Sequence, residues 1–133
     1  MIVVDTSALM ALLLDEPEAE TIADILAKAA DLSISAVTLA EARIVAARRN
    51  LTAEMDGLVE GLAFEVESVT DETARRVAEA YATWGKGIHP AALNFGDCFA
   101  YATAMSRKAP LLYVGKDFAQ TNVRSAMPKD RIG

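Results

Sequence analysis

The stretch MIVVDTSALM (residues 1–10) decides the fold class of this chain of 133 residues. Its first five residues are a short β-branched run, the pattern of a strand that is buried on both faces. Residues 7–14 then have a helical pattern. Strands buried on both faces occur in parallel sheets that helices cover, so the chain opens as an α/β protein does.

Short apolar strands alternate with amphipathic helices along the rest of the chain. We predict further strands at residues 32–35, 64–69 and 111–114, and helices at residues 17–30, 37–50, 52–61, 70–84 and 94–108. A short helical turn is expected at residues 118–120. This order predicts an α/β fold with a short parallel sheet of four or five strands and helices on both of its faces. We interpret residues 1–133 as a single domain.

The spacing of apolar residues also predicts which helix faces are buried. The inner face of the helix at residues 37–50 should carry Ala40, Ile44 and Ala47. The inner face of the helix at residues 70–84 should carry Ala74, Val77, Ala78 and Tyr81. We expect Phe95 and Tyr101 to be packing residues as well.

The charge of the chain does not favour nucleic-acid binding by itself. Thirteen basic and nineteen acidic residues give a formal net charge of −6. Non-specific binding to nucleic acid depends on Lys and Arg that neutralise phosphates. Either the substrate is not a polyanion, or bound cations and a local basic patch overcome the overall charge.

We expect the apolar start of the chain to be neither a signal peptide nor a membrane anchor. No basic residue precedes it, Asp5 interrupts it, and it is shorter than the roughly 20 residues that a membrane span needs. We therefore expect a cytoplasmic protein without membrane contact. The single Cys98 excludes an internal disulfide framework.

Four carboxylates fall at equivalent places in the predicted fold. Asp5 ends the first strand, and Glu41 lies near the start of the helix after the second strand. Asp97 lies in the first turn of the helix before the last strand, and Asp117 follows that strand. Strand carboxyl ends and helix amino termini meet at one edge of such a sheet, where ligands bind. The sequence thus predicts that the four acids meet.

Each acid also has a purely structural explanation. Asp5 can cap the next helix, and Glu41 can complete a capping box with Thr38. A helix dipole favours Asp97 in a first turn, and Asp117 can belong to a turn. Helix dipoles do not explain an acid that ends a strand, so the four acids together favour a shared site.

The composition of this predicted site indicates a hard cation. Clustered carboxylates repel one another unless protons or a cation neutralise them. All-oxygen ligands suit Mg²⁺ or Mn²⁺, which can activate water for attack on a phosphodiester. A zinc site is improbable with one His and one Cys. Thr6 and Asn94 are helix-capping residues or supporting residues of the site.

Other chemistries find little support. A Ser/His/Asp arrangement would need His89, and the chain has no GxSxG motif. We expect His89 to be exposed in a loop. Together with Lys86 and Lys116 it could form a positive rim that contacts an RNA backbone, although solvated surface charge explains these residues equally well.

With these residues in view, the chain resembles the VapC toxins, the PIN-domain ribonucleases of bacterial type II toxin–antitoxin systems. The matching stretches are MIVVDTSALMALLLDEPEAE, ISAVTLAEARIV, GKGIHPAALNFGDCFAYATA and PLLYVGKDFAQTNV. They occur in the family's order and span most of the chain. The resemblance implies an α/β/α sandwich and a Mg²⁺- or Mn²⁺-dependent endoribonuclease.

The resemblance also assigns roles to single residues. It makes Asp5, Glu41, Asp97 and Asp117 the catalytic, metal-binding acids, and Thr6 and Asn94 supporting residues. Many relatives carry an aspartate where this chain has Asn122, so a second metal ion should be held more weakly here. Hydrolysis would leave a 5′-phosphate and a 3′-hydroxyl.

The family further implies three partners. They are a structured RNA substrate (transfer RNA or ribosomal RNA), a cognate VapB-type antitoxin and a second copy of the chain in a homodimer. An excess of carboxylates explains why a basic antitoxin residue would inhibit the site. Two alternatives from other classes are a non-catalytic protein-binding module with an acidic docking edge and a metal-dependent phosphatase.

Overall fold

Four short parallel strands form the sheet. They are β1 (Ile2–Val4), β2 (Leu32–Ser35), β3 (Glu65–Glu67) and β4 (Leu111–Leu112), in the spatial order β3–β2–β1–β4. The structure, a computed structural model, describes residues 1–129. The last four residues of the predicted domain, 130–133, lie outside the described residues.

Strand β1 occupies the centre of the sheet, as its β-branched sequence predicts. Val3 pairs with Ser33 on one side and with Leu111 on the other. Val3 and Val4 are both fully buried, and they belong to two different hydrophobic cores. Successive side chains of a strand point to opposite faces, so these two valines mark the two covered faces of the sheet.

Helices cover both faces, which confirms the three-layer arrangement. Helices α1 to α4 pack with Val4 on one face, and α5 and α6 pack with Val3 on the other. Their bounds are Thr6–Leu13 (α1), Ala19–Lys28 (α2), Ala36–Arg48 (α3), Thr52–Leu62 (α4), Asp71–Trp84 (α5) and Phe95–Arg107 (α6), and a 3₁₀ turn spans Phe118–Gln120. No helix within residues 1–129 is long and apolar enough to cross a membrane.

Side-chain caps fix where the helices near the sheet edge begin. Asp5 caps α1 and Ser35 caps α3 through hydrogen bonds to backbone N–H groups two residues later. The capping box that we predicted for Thr38 and Glu41 is therefore wrong. Thr38 lies inside the first turn of α3, fully buried, and its hydroxyl has no hydrogen-bond partner in the described part of the chain. Glu41 lies one turn further on.

The buried face of α3 differs from the predicted one. Ala40, Ile44 and Ala47 are exposed, Ile44 by 55%. The buried residues are Thr38, Ala42 and Ala46. The helix is rich in alanine all round, so periodicity could not separate its faces. Small residues on the inner face let α3 lie close to its neighbours.

The prediction for α5 is also partly wrong. Val77 is buried, but Ala80 completes the buried face, and Ala74, Ala78 and Tyr81 are exposed. These exposed residues line a groove beside the amino terminus of α6. The predicted inner face therefore contributes to a surface instead of the core.

Candidate active site

Asp5 lies between the end of β1 and the start of α1 and is only 5% exposed. The backbone N–H and the hydroxyl of Ser7 donate to its Oδ2, at 3.0 and 2.6 Å. The same hydroxyl accepts a hydrogen bond from the N–H of Val114, just after β4, at 3.0 Å. Ser7 thus ties the Asp5 carboxylate to the neighbouring strand.

Glu41 reaches the site from the second turn of α3. The hydroxyl of Thr6, the first residue of α1, lies 3.3 Å from Glu41 Oε1 and 3.2 Å from the carbonyl oxygen of Thr38. Burial raises the pKa of Glu41 above its ordinary value of 4.5, and the charge of Asp5 raises it further, while the Thr6 hydrogen bond opposes the rise. Thr6 follows Asp5 in the chain and contacts Glu41, so it connects these two acids.

Asp97 lies in the first turn of α6, where it forms a capping box with Asn94. The backbone N–H of Asn94 donates to Asp97 Oδ2 at 3.0 Å, and the N–H of Asp97 donates to Asn94 Oδ1 at 2.8 Å. Both residues therefore have the structural role that the sequence allows, at the amino terminus of α6. The capping box leaves Asp97 Oδ1 for a ligand.

The pKa of Asp97 shows that the four acids share one region. Burial raises it from 3.8 to about 6, against the Asn94 hydrogen bond, and the charges of Asp5, Glu41 and Asp117 add to the rise. The pKa of Asp5 is also raised, first by burial and last by the charge of Asp117, although hydrogen bonds from Ser7 and Thr6 lower it. Acids from four separate stretches of sequence thus repel one another at this edge of the sheet.

Asp117 is the exposed member of the group. It precedes the 3₁₀ turn, and its side chain forms no cap there. Asp117 does lie in a turn, where its backbone carbonyl oxygen accepts from the N–H of Gln120 at 3.3 Å, but its carboxylate takes no part in that turn. Its charge acts on both Asp5 and Asp97, so it borders the site from the open side.

The donor set fits a hard divalent cation. Within residues 1–129, no three Asp, Glu, His or Cys side chains form a preassembled metal cage. Mg²⁺ is commonly bound in this open manner, by one or two carboxylates together with waters and substrate phosphates. Repulsion between partly buried carboxylates is the condition that such a cation relieves.

The residues expected at the positive rim differ in their surroundings. Lys86 and Lys116 are exposed. His89 is half-buried, so its predicted exposure is wrong. Its Nδ1 accepts from the N–H of Ala91 at 3.0 Å, and its ring meets Trp84 edge-on, with centroids 4.8 Å apart. These contacts fix the loop that follows α5.

Two aromatic predictions have different outcomes. Tyr101 is buried, as expected, and its hydroxyl accepts from Trp84 Nε1 at 3.0 Å and donates to Asn122 Oδ1 at 2.6 Å. Asn122 is thus tied to a relay that joins α5, α6 and the segment after the 3₁₀ turn. Phe95, expected to pack, is 67% exposed and touches Phe99 edge-on, with ring centroids 5.0 Å apart.

Sequence reasoning missed the proximity of Gly96 to Glu41. A side-chain carbon at Gly96 would lie 2.8 Å from Glu41 Cδ. A glycine between a capping asparagine and an acid in a first helical turn was the available signal, since glycine disfavours helices and needs another reason to be there.

Comparisons with known proteins identify the family of nearly the whole chain. Residues 2–123 match the family model of the PIN domain. Ribonuclease VapC28 of Mycobacterium tuberculosis is 44% identical over 131 residues, which cover 96% of this chain and 98% of that protein. Ribonuclease VapC36 of the same species is 45% identical over 125 residues, with coverages of 91% and 90%.

Solved structures show the same fold at low identity. The crystal structure of Mycobacterium tuberculosis VapC20, a Sarcin-Ricin loop cleaving toxin, has a TM-score of 0.78 at 19% identity and covers 96% of this chain and 100% of its own. VapBC2 from Rickettsia felis, bound to a DNA fragment from its promoter, has a TM-score of 0.69 at 18% identity, with coverages of 94% and 96%. This chain belongs to the PIN-domain family and, within it, to the VapC ribonucleases.

Proposed function

We propose that this VapC ribonuclease is a Mg²⁺- or Mn²⁺-dependent endoribonuclease toxin whose metal site consists of Asp5, Glu41, Asp97 and Asp117. The observation that carries the proposal is the mutual repulsion of these acids. The pKa of Asp97 is raised in part by the charges of all three other acids. A cluster of this kind, lying where an α/β sheet binds its ligands, would suit a divalent cation together with a phosphate of the substrate.

The residues of the chain have distinct tasks in this proposal. Hydrogen bonds from Ser7 orient the Asp5 carboxylate, and Asp97 presents Oδ1 because the backbone N–H of Asn94 engages its Oδ2. Glu41 reaches the same space with Thr6 as its support. Asp117, exposed at the border, completes the site or helps to hold a second ion. Thr6 and Asn94 therefore act by orienting acids.

A bound divalent cation supplies Lewis acidity, which lowers the pKa of water and stabilises charge on phosphate oxygens. By holding the cation, the carboxylates would determine where the phosphate of the substrate binds. Asn122 contributes little to a second ion in this proposal, since its Oδ1 accepts from the Tyr101 hydroxyl.

We propose structured cellular RNA, either transfer RNA or ribosomal RNA, as the substrate. The printed description of VapC20 as a Sarcin-Ricin loop cleaving toxin supports this class of substrate. Lys86 and Lys116 are exposed on loops and provide local positive charge of the kind that an RNA backbone needs, and His89 lies on the same loop as Lys86 as a further possible RNA contact. The phosphatase and protein-binding alternatives lack comparable support.

We further propose a cognate antitoxin as partner. The Rickettsia felis VapBC2 structure and a toxin–antitoxin complex from Klebsiella pneumoniae have the fold of this chain. A basic segment of an antitoxin would neutralise the acidic site as a cation does. The protein would act in the cytoplasm, where its RNA substrates are.

A homodimer is the last part of the proposal. Val69, Tyr81 and Phe95 are exposed apolar side chains that line one groove of about 670 Å³ between α5 and the start of α6. Contiguous apolar surface of this kind is typical of protein interfaces. The groove also includes Asn94, so a second copy seated there would lie beside the acidic site.

Asp5→Asn tests the proposed metal site. The variant keeps the shape of the side chain but loses a charge, so it should remain folded while Mn²⁺ affinity and RNA cleavage fall sharply. Asp24→Asn is a matched control, because Asp24 pairs only with Lys28 on the exposed face of α2. Unchanged Mn²⁺ binding and unchanged cleavage by folded Asp5→Asn protein would refute the proposal.

A further inference from the structure

Gly96 lies in the first turn of α6, one residue before Asp97. A Cβ placed on Gly96 would overlap Glu41 Oε2 and would lie 2.8 Å from Cδ and 3.1 Å from Oε1. Glu41 thus occupies, with its carboxylate, the volume that any other residue at position 96 would fill with its own side chain.

Other helical glycines of the chain have no such neighbour. Gly57 and Gly61 lie in α4, and a Cβ at either position would meet no atom within 4 Å. Glycine inside a helix costs about 1 kcal/mol relative to alanine. At Gly96 the missing side chain has a specific consequence, which is the close approach of a carboxylate to the helix backbone.

Two elements therefore confine Glu41. Thr6, at the start of α1, contacts Oε1 through its hydroxyl at 3.3 Å. Gly96 lies against the same carboxylate at the amino terminus of α6, where the helix dipole favours a negative charge. The side chain is thereby directed from α3 toward Asp97.

We propose that Gly96 is a positioning residue of the metal site: by having no side chain, it lets the Glu41 carboxylate lie against the first turn of α6, which also carries Asp97. This role rests on the proposed metal-dependent function. A side chain at position 96 would push the Glu41 carboxylate away from its place while leaving the acid itself intact. Gly96 therefore governs the geometry of the site without touching the metal or the RNA.

The test is Gly96→Ala, read out by metal binding as well as by activity. Alanine favours the helix, so the melting temperature without metal should stay the same or rise slightly. Mn²⁺ affinity, measured by calorimetry, should fall about tenfold, as it does when the support of a metal ligand is disturbed. RNA cleavage should fall with it. Gly57→Ala is the matched control and should leave Mn²⁺ binding unchanged.

The variant Glu41→Asp separates positioning from general damage to α6. Aspartate is one methylene shorter and withdraws the carboxylate from position 96. In the Glu41→Asp background, adding Gly96→Ala should change Mn²⁺ affinity by less than about twofold. An equally large loss in both backgrounds, or a fall of the melting temperature of Gly96→Ala without metal, would overturn the proposal.

The outcomes also separate this proposal from the function on which it rests. Wild-type Mn²⁺ binding that is lost in Asp5→Asn but retained in Gly96→Ala would refute the role of Gly96 alone. A wild-type protein that binds no Mn²⁺, or an Asp5→Asn protein that binds it normally, would refute the proposed metal site and this role with it.

Discussion

Asp97→Asn should make the metal-free protein more stable while it weakens the metal site. The pKa of Asp97 rises from 3.8 to about 6 in the folded protein. At about 1.4 kcal/mol per pH unit, keeping this carboxylate ionised costs the folded state at most about 3 kcal/mol at neutral pH and above, because solvent screens a partly exposed carboxylate. Asparagine keeps an acceptor for the Asn94 N–H, so the substitution removes the charge and little else.

The sign of the pH dependence follows from the raised pKa. Between pH 3.8 and about 6 the folded protein binds more protons at this site than the unfolded chain does. The free energy of unfolding therefore falls as the pH rises through this window. The advantage of Asp97→Asn should be at most about 3 kcal/mol at about pH 8 and only about half of that at about pH 5.

Urea and thermal denaturation in the presence of EDTA measure this difference at the two pH values. For a chain of this length, 3 kcal/mol corresponds to an increase in melting temperature of at most about 10 °C. Added Mn²⁺ should then stabilise the wild type more than the variant. The reasoning is wrong if Asp97→Asn is less stable than the wild type at the higher pH, or if its advantage grows on acidification.

Two further predictions concern contacts around the site. Ser7→Ala removes the hydroxyl that joins Asp5 to the N–H of Val114. The free energy of unfolding, measured with urea, should fall by about 1–3 kcal/mol, and Mn²⁺ binding should weaken. An unchanged urea midpoint and an unchanged Mn²⁺ affinity would contradict the positioning of Asp5 by Ser7. Phe95→Asp should convert the proposed dimer to a monomer in analytical ultracentrifugation, because it places a charge in the apolar groove, while Ile44→Asp on the outer face of α3 should leave the assembly unchanged.

Much of the fold could be predicted from local chemistry. Every predicted strand and helix exists in the described chain, most with bounds shifted by one to three residues. Strand β1 was predictable because only a central parallel strand buries two consecutive valines on opposite faces. The start of α6 was predictable because Asn94 is a strong cap.

The faces of the helices were less predictable because they depend on tertiary packing. Alanine is apolar enough to be buried and small enough to be exposed at little cost, so the alanine-rich α3 has no clear hydrophobic stripe. Ile44 and Phe95 are exposed although they are large and apolar. Their exposure depends on which neighbouring elements cover each helix face, and a single sequence does not give this.

The convergence of the four acids could be predicted from topology, but their geometry could not. Parallel strands with intervening helices place Asp5, Glu41, Asp97 and Asp117 at one edge whatever the details of packing. The contact between the Glu41 carboxylate and Gly96 depends instead on how closely α3 approaches α6. No local pattern in either helix encodes that distance.

The structural and the functional explanations of the acids are compatible, and their magnitudes show which one dominates. Asp97 caps α6, yet its ionised form still costs up to about 3 kcal/mol after the Asn94 hydrogen bond has taken effect. A helix dipole contributes only about 0.3–1 kcal/mol. Capping alone would therefore favour a neutral residue such as asparagine at this position. In the metal site that we propose, a bound cation would compensate this charge, so the cost of ionising the cluster without metal would follow from the proposed function.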